Sequence, residues 1–292
     1  MFKLAVFTDE VSQDFQTVVD LCEEYRLDGI EIRSVWDKPP QHITDDDIHA
    51  MKTILKETEI KVCCVASPFF KCEINSEEEY EQHIEILERC IHLAQSFDCN
   101  LIRGFTFWRR GHVENVWQML LDRFAAPIRI LERTGAQLGV ENEASTFIGT
   151  GKILKKFLRD LGSDHVKAIW DPCNCLYDEH VQETPFPDGY EVIKDKIAHM
   201  HLKDSKRGRT PGKAECCPIG NGDIDYEGQF KALIRDNYTG YVSLETHWRP
   251  VPLTEEERNR PGGCKFSEAA ENASRICLDR IFQILDKCGI AP

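Results

Sequence analysis

Four short apolar runs in the second half of the chain each close on a residue able to bind a metal ion. They are Val140-Glu141, Trp170-Asp171, Met200-His201 and Leu244-Glu245. The steps from Glu141 to Asp171 and from Asp171 to His201 are both 30 residues, which is about one strand-plus-helix unit. The longer step to Glu245 contains a polar, Gly-rich stretch at about 204–225, expected to form a long loop over the site. Three carboxylates converging on one axis repel each other by several kcal/mol per pair at an effective dielectric of about 20. A divalent cation removes that repulsion. Three oxygen donors and one imidazole suit Mn²⁺ or Mg²⁺ first, with Co²⁺ or Zn²⁺ as the softer alternatives. Any one of these residues alone reads as an ordinary strand-end salt bridge, whereas the four together read as a metal site.

Something must bring these run ends to one place. Short β-type runs alternate with segments of helical period along the whole chain, the pattern of a parallel sheet with helical crossovers. Strands are expected at Lys3 to Phe7, Gly29 to Arg33, Lys61 to Ala66, Asn100 to Gly104, Gln137 to Glu141, Val166 to Asp171, Ile197 to Leu202 and Gly240 to Glu245. Helices are expected at Asp14 to Tyr25, Asp45 to Thr58, Glu77 to Phe97, Glu114 to Arg133, Lys152 to Leu161, Tyr226 to Asp236 and Glu268 to Lys287, with a weakly written one near His180 to Lys194. Eight such units in 292 residues fit a single-domain α/β (β/α)₈ TIM barrel spanning residues 1–292, whose active site lies at the C-terminal ends of its strands. An open doubly wound sheet is disfavoured: Thr8-Asp9-Glu10 follows the first strand where a Gly-rich dinucleotide loop would stand. Gly149-Thr150-Gly151-Lys152 reads as a plain helix start. Strand alternation turns Ser243 with Glu245, and His199 with His201, toward the barrel axis.

The 36 basic and 50 acidic residues leave a net charge of -14, which repels nucleic acid and anionic membranes. Thirteen cysteines, scattered through apolar runs, read as reduced thiols. Neither Cys216-Cys217 nor Cys173-x-Cys175 has the second pair a zinc site needs. No leader or membrane span is read in the sequence, so a cytoplasmic protein is expected, with a homodimer possible.

The motifs Val140-Glu141-Asn142-Glu143, Asp171-Pro172-Cys173-Asn174, His199-Met200-His201-Leu202-Lys203-Asp204 and Pro218-Ile219-Gly220-Asn221-Gly222-Asp223-Ile224-Asp225, then Ser243-Leu244-Glu245-Thr246, follow one another in this order. In them the chain resembles the xylose isomerase-like barrel superfamily, which holds sugar and sugar-phosphate isomerases and epimerases together with AP endonuclease barrels. The resemblance implies Glu141, Asp171, His201 and Glu245 as metal ligands, with His199 behind them. The endonuclease branch carries further histidines at places that here resemble Ser67 and Asn174, and that departure, with the acidic charge, points to the single-metal, sugar-processing branch.

In that branch the resemblance implies proton transfer beside the carbonyl of a ketose-type sugar or sugar phosphate, with Glu141 and Glu245 as base and acid. Dehydration of a keto-inositol or keto-sugar is the alternative; a non-catalytic sugar-binding barrel and an AP endonuclease-like nuclease rank below it. Substrate contacts are expected from Glu31, Arg33, Arg103, Trp108, Asn174, His199 and Lys203, each of which has a structural reading as a salt bridge or packing residue.

Overall fold

The computed structural model describes residues 1–210, 212–250, 254 and 262–290. Eight parallel strands close into a barrel: β1 (Lys3–Phe7), β2 (Gly29–Ile32), β3 (Lys61–Phe69), β4 (Leu101–Gly104), β5 (Gln137–Glu141), β6 (Val166–Trp170), β7 (Ile197–Leu202) and, after the hairpin strands β8 (Asp204–Arg207) and β9 (Ala214–Cys217), β10 (Tyr241–Leu244). The stave order is β1-β10-β7-β6-β5-β4-β3-β2. The ring closes where β1 pairs with β10, Ala5 opposite Ser243 and Val6 opposite Leu244.

Helices cover the outside, and five of them start on a side-chain cap. Asp14, Thr44, Ser76, Thr150 and Asp225 accept a first-turn N–H into their side chains, satisfying donors that have no partner inside the helix. Gly135 and Gly162 adopt φ of 73° and 64° at helix C-termini, which lets the chain reverse directly into β5 and β6. Trp170, Phe15, Phe124 and Phe157 are fully buried, each contributing about 1.5–3 kcal/mol of apolar burial.

The expected barrel is present, with local differences that have physical causes. The helix expected from Glu114 to Arg133 is divided into Trp117–Arg123 and Ala125–Thr134. Pro127 sits in the first turn of the second piece and has no N–H to continue the first one. The weakly written sixth crossover is a chain of short turns, with one helical turn at Tyr190–Ile193, because Pro172, Pro185 and Pro187 interrupt regular bonding there. Strand β3 runs three residues beyond the expected end at Ala66, with an irregular register against β4. The helix start at Gly151 is filled by the chain itself: Glu183 Oε1 and Oε2 accept the N–H groups of Gly151 and Lys152 at 2.7 and 2.9 Å, as anions do at helix N-termini. The stretch after β7 forms an antiparallel hairpin of β8 and β9. All thirteen cysteines are free thiols, and among the described residues no helix is long and apolar enough to cross a membrane.

Candidate metal centre

Glu141, Asp171, His201 and Glu245 stand at the ends of four consecutive staves, β5, β6, β7 and β10. One ligand atom from each lies within 4.8 Å of the others, and all four side chains are buried. The neighbouring backbone fixes them. Asn142 clamps Asp171, accepting its N–H at 2.9 Å and donating to its carbonyl at 2.8 Å. Asp171 Oδ1 accepts the N–H groups of Cys173 and Asn174 at 2.8 and 3.1 Å, which turns Oδ2 toward the site. Asn174 Nδ2 donates to Glu141 Oε1 at 3.0 Å. His201 packs edge-on against Phe7, centroids 4.9 Å apart.

Positive side chains surround the carboxylates. Arg103 Nη1 lies 3.2 Å from Glu141 Oε2 and 3.6 Å from Glu245 Oε1. Arg33 contacts Asp9, Glu10 and Glu245 at 2.9, 2.8 and 2.5 Å. Lys203 Nζ lies 2.9 Å from Asp171 Oδ2 and 3.1 Å from Glu245 Oε2. These charges decide the protonation states. Burial alone would push Glu141 up, yet His201 and Arg103 bring it down to about 2; Glu245 is likewise buried but held well below the carboxylate range by Lys203, His247 and Arg33. For Asp171 burial prevails over Lys203 and raises it to about 6. Burial disfavours a charged His201, but Glu31 and Glu141 raise it to about 10.

The donor set fits a divalent ion. Among the described residues, His201 Nδ1 and Nε2 are buried without a hydrogen bond, although His201 Nδ1 lies 3.3 Å from Glu141 Oε1 and 4.0 Å from Glu245 Oε2. A buried imidazole facing carboxylates without bonding them is the arrangement a shared cation resolves. The triad Glu10, Glu245 and His247 is also close enough to hold an ion, but Arg33 and Arg249 already occupy both oxygens of Glu10 at 2.8 and 2.9 Å. A second cation there would meet two guanidinium groups.

The centre opens into a cavity of about 320 Å³. Of the residues expected to meet a substrate, Arg103, Asn174 and Lys203 line it, as do Glu141 and Glu245. Glu31 and His199 lie deeper along the axis, joined by a 2.8 Å contact beneath His201. Arg33 stands behind Glu245, and Trp108 bridges to Thr146 through its backbone. Arg109 and, from the hairpin, Lys213 and Cys216 also line it, as do Lys71, Tyr177 and His247, which were not singled out from the sequence as substrate contacts. Period-two counting from Glu245 reaches His247; Lys71 reaches the mouth because β3 is longer than its apolar run indicates.

Residues 19–271 match the family described as xylose isomerase-like TIM barrel. The chain belongs to the xylose isomerase-like TIM barrel family. Within this family it is 26% identical over 188 residues to the Escherichia coli (strain K12) protein named "Putative L-ribulose-5-phosphate 3-epimerase SgbU", covering 63% of this chain and 64% of that one. An inosose dehydratase of Clostridium perfringens (strain ATCC 13124) is 24% identical over 154 residues, 47% of this chain and 50% of that one. The chain thus spans less than two thirds of the length of these curated relatives. The same barrel occurs in the solved structure of the IolI protein with a bound zinc atom, with a TM-score of 0.74 and 18% identity over 98% of this chain and 99% of that one.

Proposed function

We propose that this barrel is a divalent-metal-dependent sugar or sugar-phosphate isomerase or epimerase that moves a proton beside the carbonyl of a ketose-type substrate. The observation that carries the proposal is the placement of Glu141 and Glu245. They occupy the outer two of four adjacent staves, flank Asp171 and His201, and both line the cavity. The cations around them keep both carboxylates ionised, so each is in the form that can accept a proton.

Glu141, Asp171, His201 and Glu245 would hold the ion, Mn²⁺ or Mg²⁺ by donor type and Co²⁺ or Zn²⁺ next. When bound, the ion supplies Lewis acidity to the substrate carbonyl and its neighbouring hydroxyl. One glutamate takes the proton from the carbon beside the carbonyl. Its return by the other glutamate on the opposite face inverts the centre, and its return by the same one to the neighbouring carbon isomerises the sugar. Arg103, within reach of both carboxylates, keeps the unprotonated one ionised, while Asn174 orients Glu141. The side chains of Lys213 and Cys216 on the hairpin help close the cavity from water. The free thiols fit a reducing, cytoplasmic setting.

The test is solvent-deuterium exchange into a panel of ketoses and ketose phosphates with Mn²⁺ present. Deuterium should enter carbon next to the carbonyl of one of them, and Glu245→Gln that still binds Mn²⁺ should lose that exchange. Full turnover by this variant removes the basis of the reading. The inosose dehydratase relative favours a second outcome, in which the same base removes the proton and a β-hydroxyl leaves as water; a mass loss of one water from a keto-inositol would select it.

A further inference from the structure

Lys203 stands between two of the residues assigned to the ion. Its Nζ is 2.9 Å from Asp171 Oδ2 and 3.1 Å from Glu245 Oε2. Asp171 has no other oxygen to offer, because Oδ1 is engaged by the backbone of Cys173 and Asn174. An ammonium group and a metal ion therefore compete for one oxygen, and at such range two cations repel strongly. The neighbouring cations have anchors outside the ligand set: Arg33 is held by Asp9 and Glu10 as well as Glu245, and Arg103, beside Glu141 and Glu245, also donates from Nη2 to the Ala66 carbonyl at 3.4 Å.

The backbone of Lys203 is fixed. Tyr226 Oη accepts its N–H at 3.0 Å and donates to its carbonyl at 2.6 Å, so only the side chain is left to move. It has somewhere to go, since Lys203 lines the open cavity of about 320 Å³.

We infer that Lys203 is the built-in stand-in for the metal: its ammonium bridges Asp171 and Glu245 in the metal-free protein, and an arriving ion displaces it into the cavity to meet an oxygen of the substrate. The inference rests on the metal-site reading given above. The bridging ammonium adds to Arg33 and Arg103 in holding the three carboxylates together when no ion is bound. It also links the two ligands. By freeing the ammonium, the ion prepares a cationic contact for the sugar, so ion and sugar favour each other's binding.

Two measurements test it. The first is Mn²⁺ affinity of the wild-type protein and of Lys203→Met, which keeps the side chain's length without its charge. The variant should bind Mn²⁺ at least about tenfold more tightly, while Lys203→Arg should not bind more tightly than wild type. Equal or weaker binding by Lys203→Met overturns the inference and leaves the metal site standing; no binding of Mn²⁺ to either protein overturns the metal site as well. The second uses wild-type protein only and does not depend on a variant folding. Acetylation of Lys203, followed by peptide mass spectrometry, should be slow without metal and several-fold faster with saturating Mn²⁺. An unchanged or slower rate with Mn²⁺ overturns the displacement.

Discussion

Glu31 Oε2 lies 3.4 Å from His201 Nε2, on the side of the ring opposite the metal-site carboxylates. His199 Nε2 reaches the same oxygen at 2.8 Å and Ser243 Oγ at 2.9 Å. Burial would raise the Glu31 carboxyl, but His201 and His199 hold it well below the usual range. A fixed anion beneath the imidazole holds a proton on Nε2 and orients the ring so that Nδ1 faces the proposed ion site.

Replacing Glu31 with Gln should therefore weaken Mn²⁺ binding by about 10- to 100-fold, the usual effect of losing such a partner. Circular dichroism should remain that of the wild type. Direct Mn²⁺ titration checks the affinity, and an unchanged value would show that Glu31 does not support His201.

Metal should also stabilise the fold. Mn²⁺ at about 100 times its dissociation constant adds about 2.7 kcal/mol to the folded state. Scanning calorimetry should record a higher Tm for the wild type with Mn²⁺ than after chelation, and a much smaller difference for Asp171→Asn.

Arg33 pairs with three carboxylates, and it and its partners are almost fully buried. Arg33→Met should destabilise the protein by about 3–5 kcal/mol, because breaking a buried ion pair strands the remaining charge. Urea unfolding measures the difference. A loss below about 1 kcal/mol would mean that the carboxylates find other partners.

His83 gives stability a pH dependence that can be isolated. Its Nδ1 accepts the Phe70 N–H at 2.8 Å, and burial lowers its pKa from 6.5 to about 4 against the opposing charge of Glu79. The unfolded chain then binds the proton more readily, so the stabilisation is complete above pH 6.5 and is lost as pH falls toward 4. The full effect is at most about 3 kcal/mol. His83→Asn keeps an acceptor but does not titrate there; its urea midpoint should fall less than that of wild type between pH 7 and pH 4.

The loop behind the hairpin is tied to Asp204, whose Oδ2 accepts the N–H groups of Gly220 and Gly222 at 2.9 Å each. A Cβ on Gly222 would stand 2.0 Å from Asp204 Oδ1. Gly222→Ala should cost about 1–3 kcal/mol locally and release the hairpin, seen as faster limited proteolysis between residues 204 and 223.

The sequence made the four strand-end residues legible because each closes a short apolar run, and a barrel brings such ends together. What surrounds them was hidden for definite reasons. Arg33 looked like a substrate contact, yet its partners Asp9 and Glu10 lie on the loop after β1, and Glu245 lies more than two hundred residues away. Glu31 shares the axial face with the ligands, but period-two alternation carries no depth, so it did not reveal that Glu31 lies beneath His201 rather than at the mouth; His199 was placed behind the ligands through the family resemblance. Lys71 was missed because Ser67 and Pro68 obscured the end of β3. The divided fourth helix was foreshadowed by Pro127, whereas no periodicity marks the turns between Pro172 and Lys196.

Barrel closure through β1 and β10 also sets an order of events during synthesis. Glu245 follows β10, the last stave made, and Arg33 near the start of the chain becomes fully paired only when that stave docks. A nascent chain that has emerged only as far as β7 owns three of the four residues assigned to the ion, with the carboxylate on the closing side still missing. The proposed ion site is therefore complete only once the ribosome has delivered β10 and the two ends of the sheet have met.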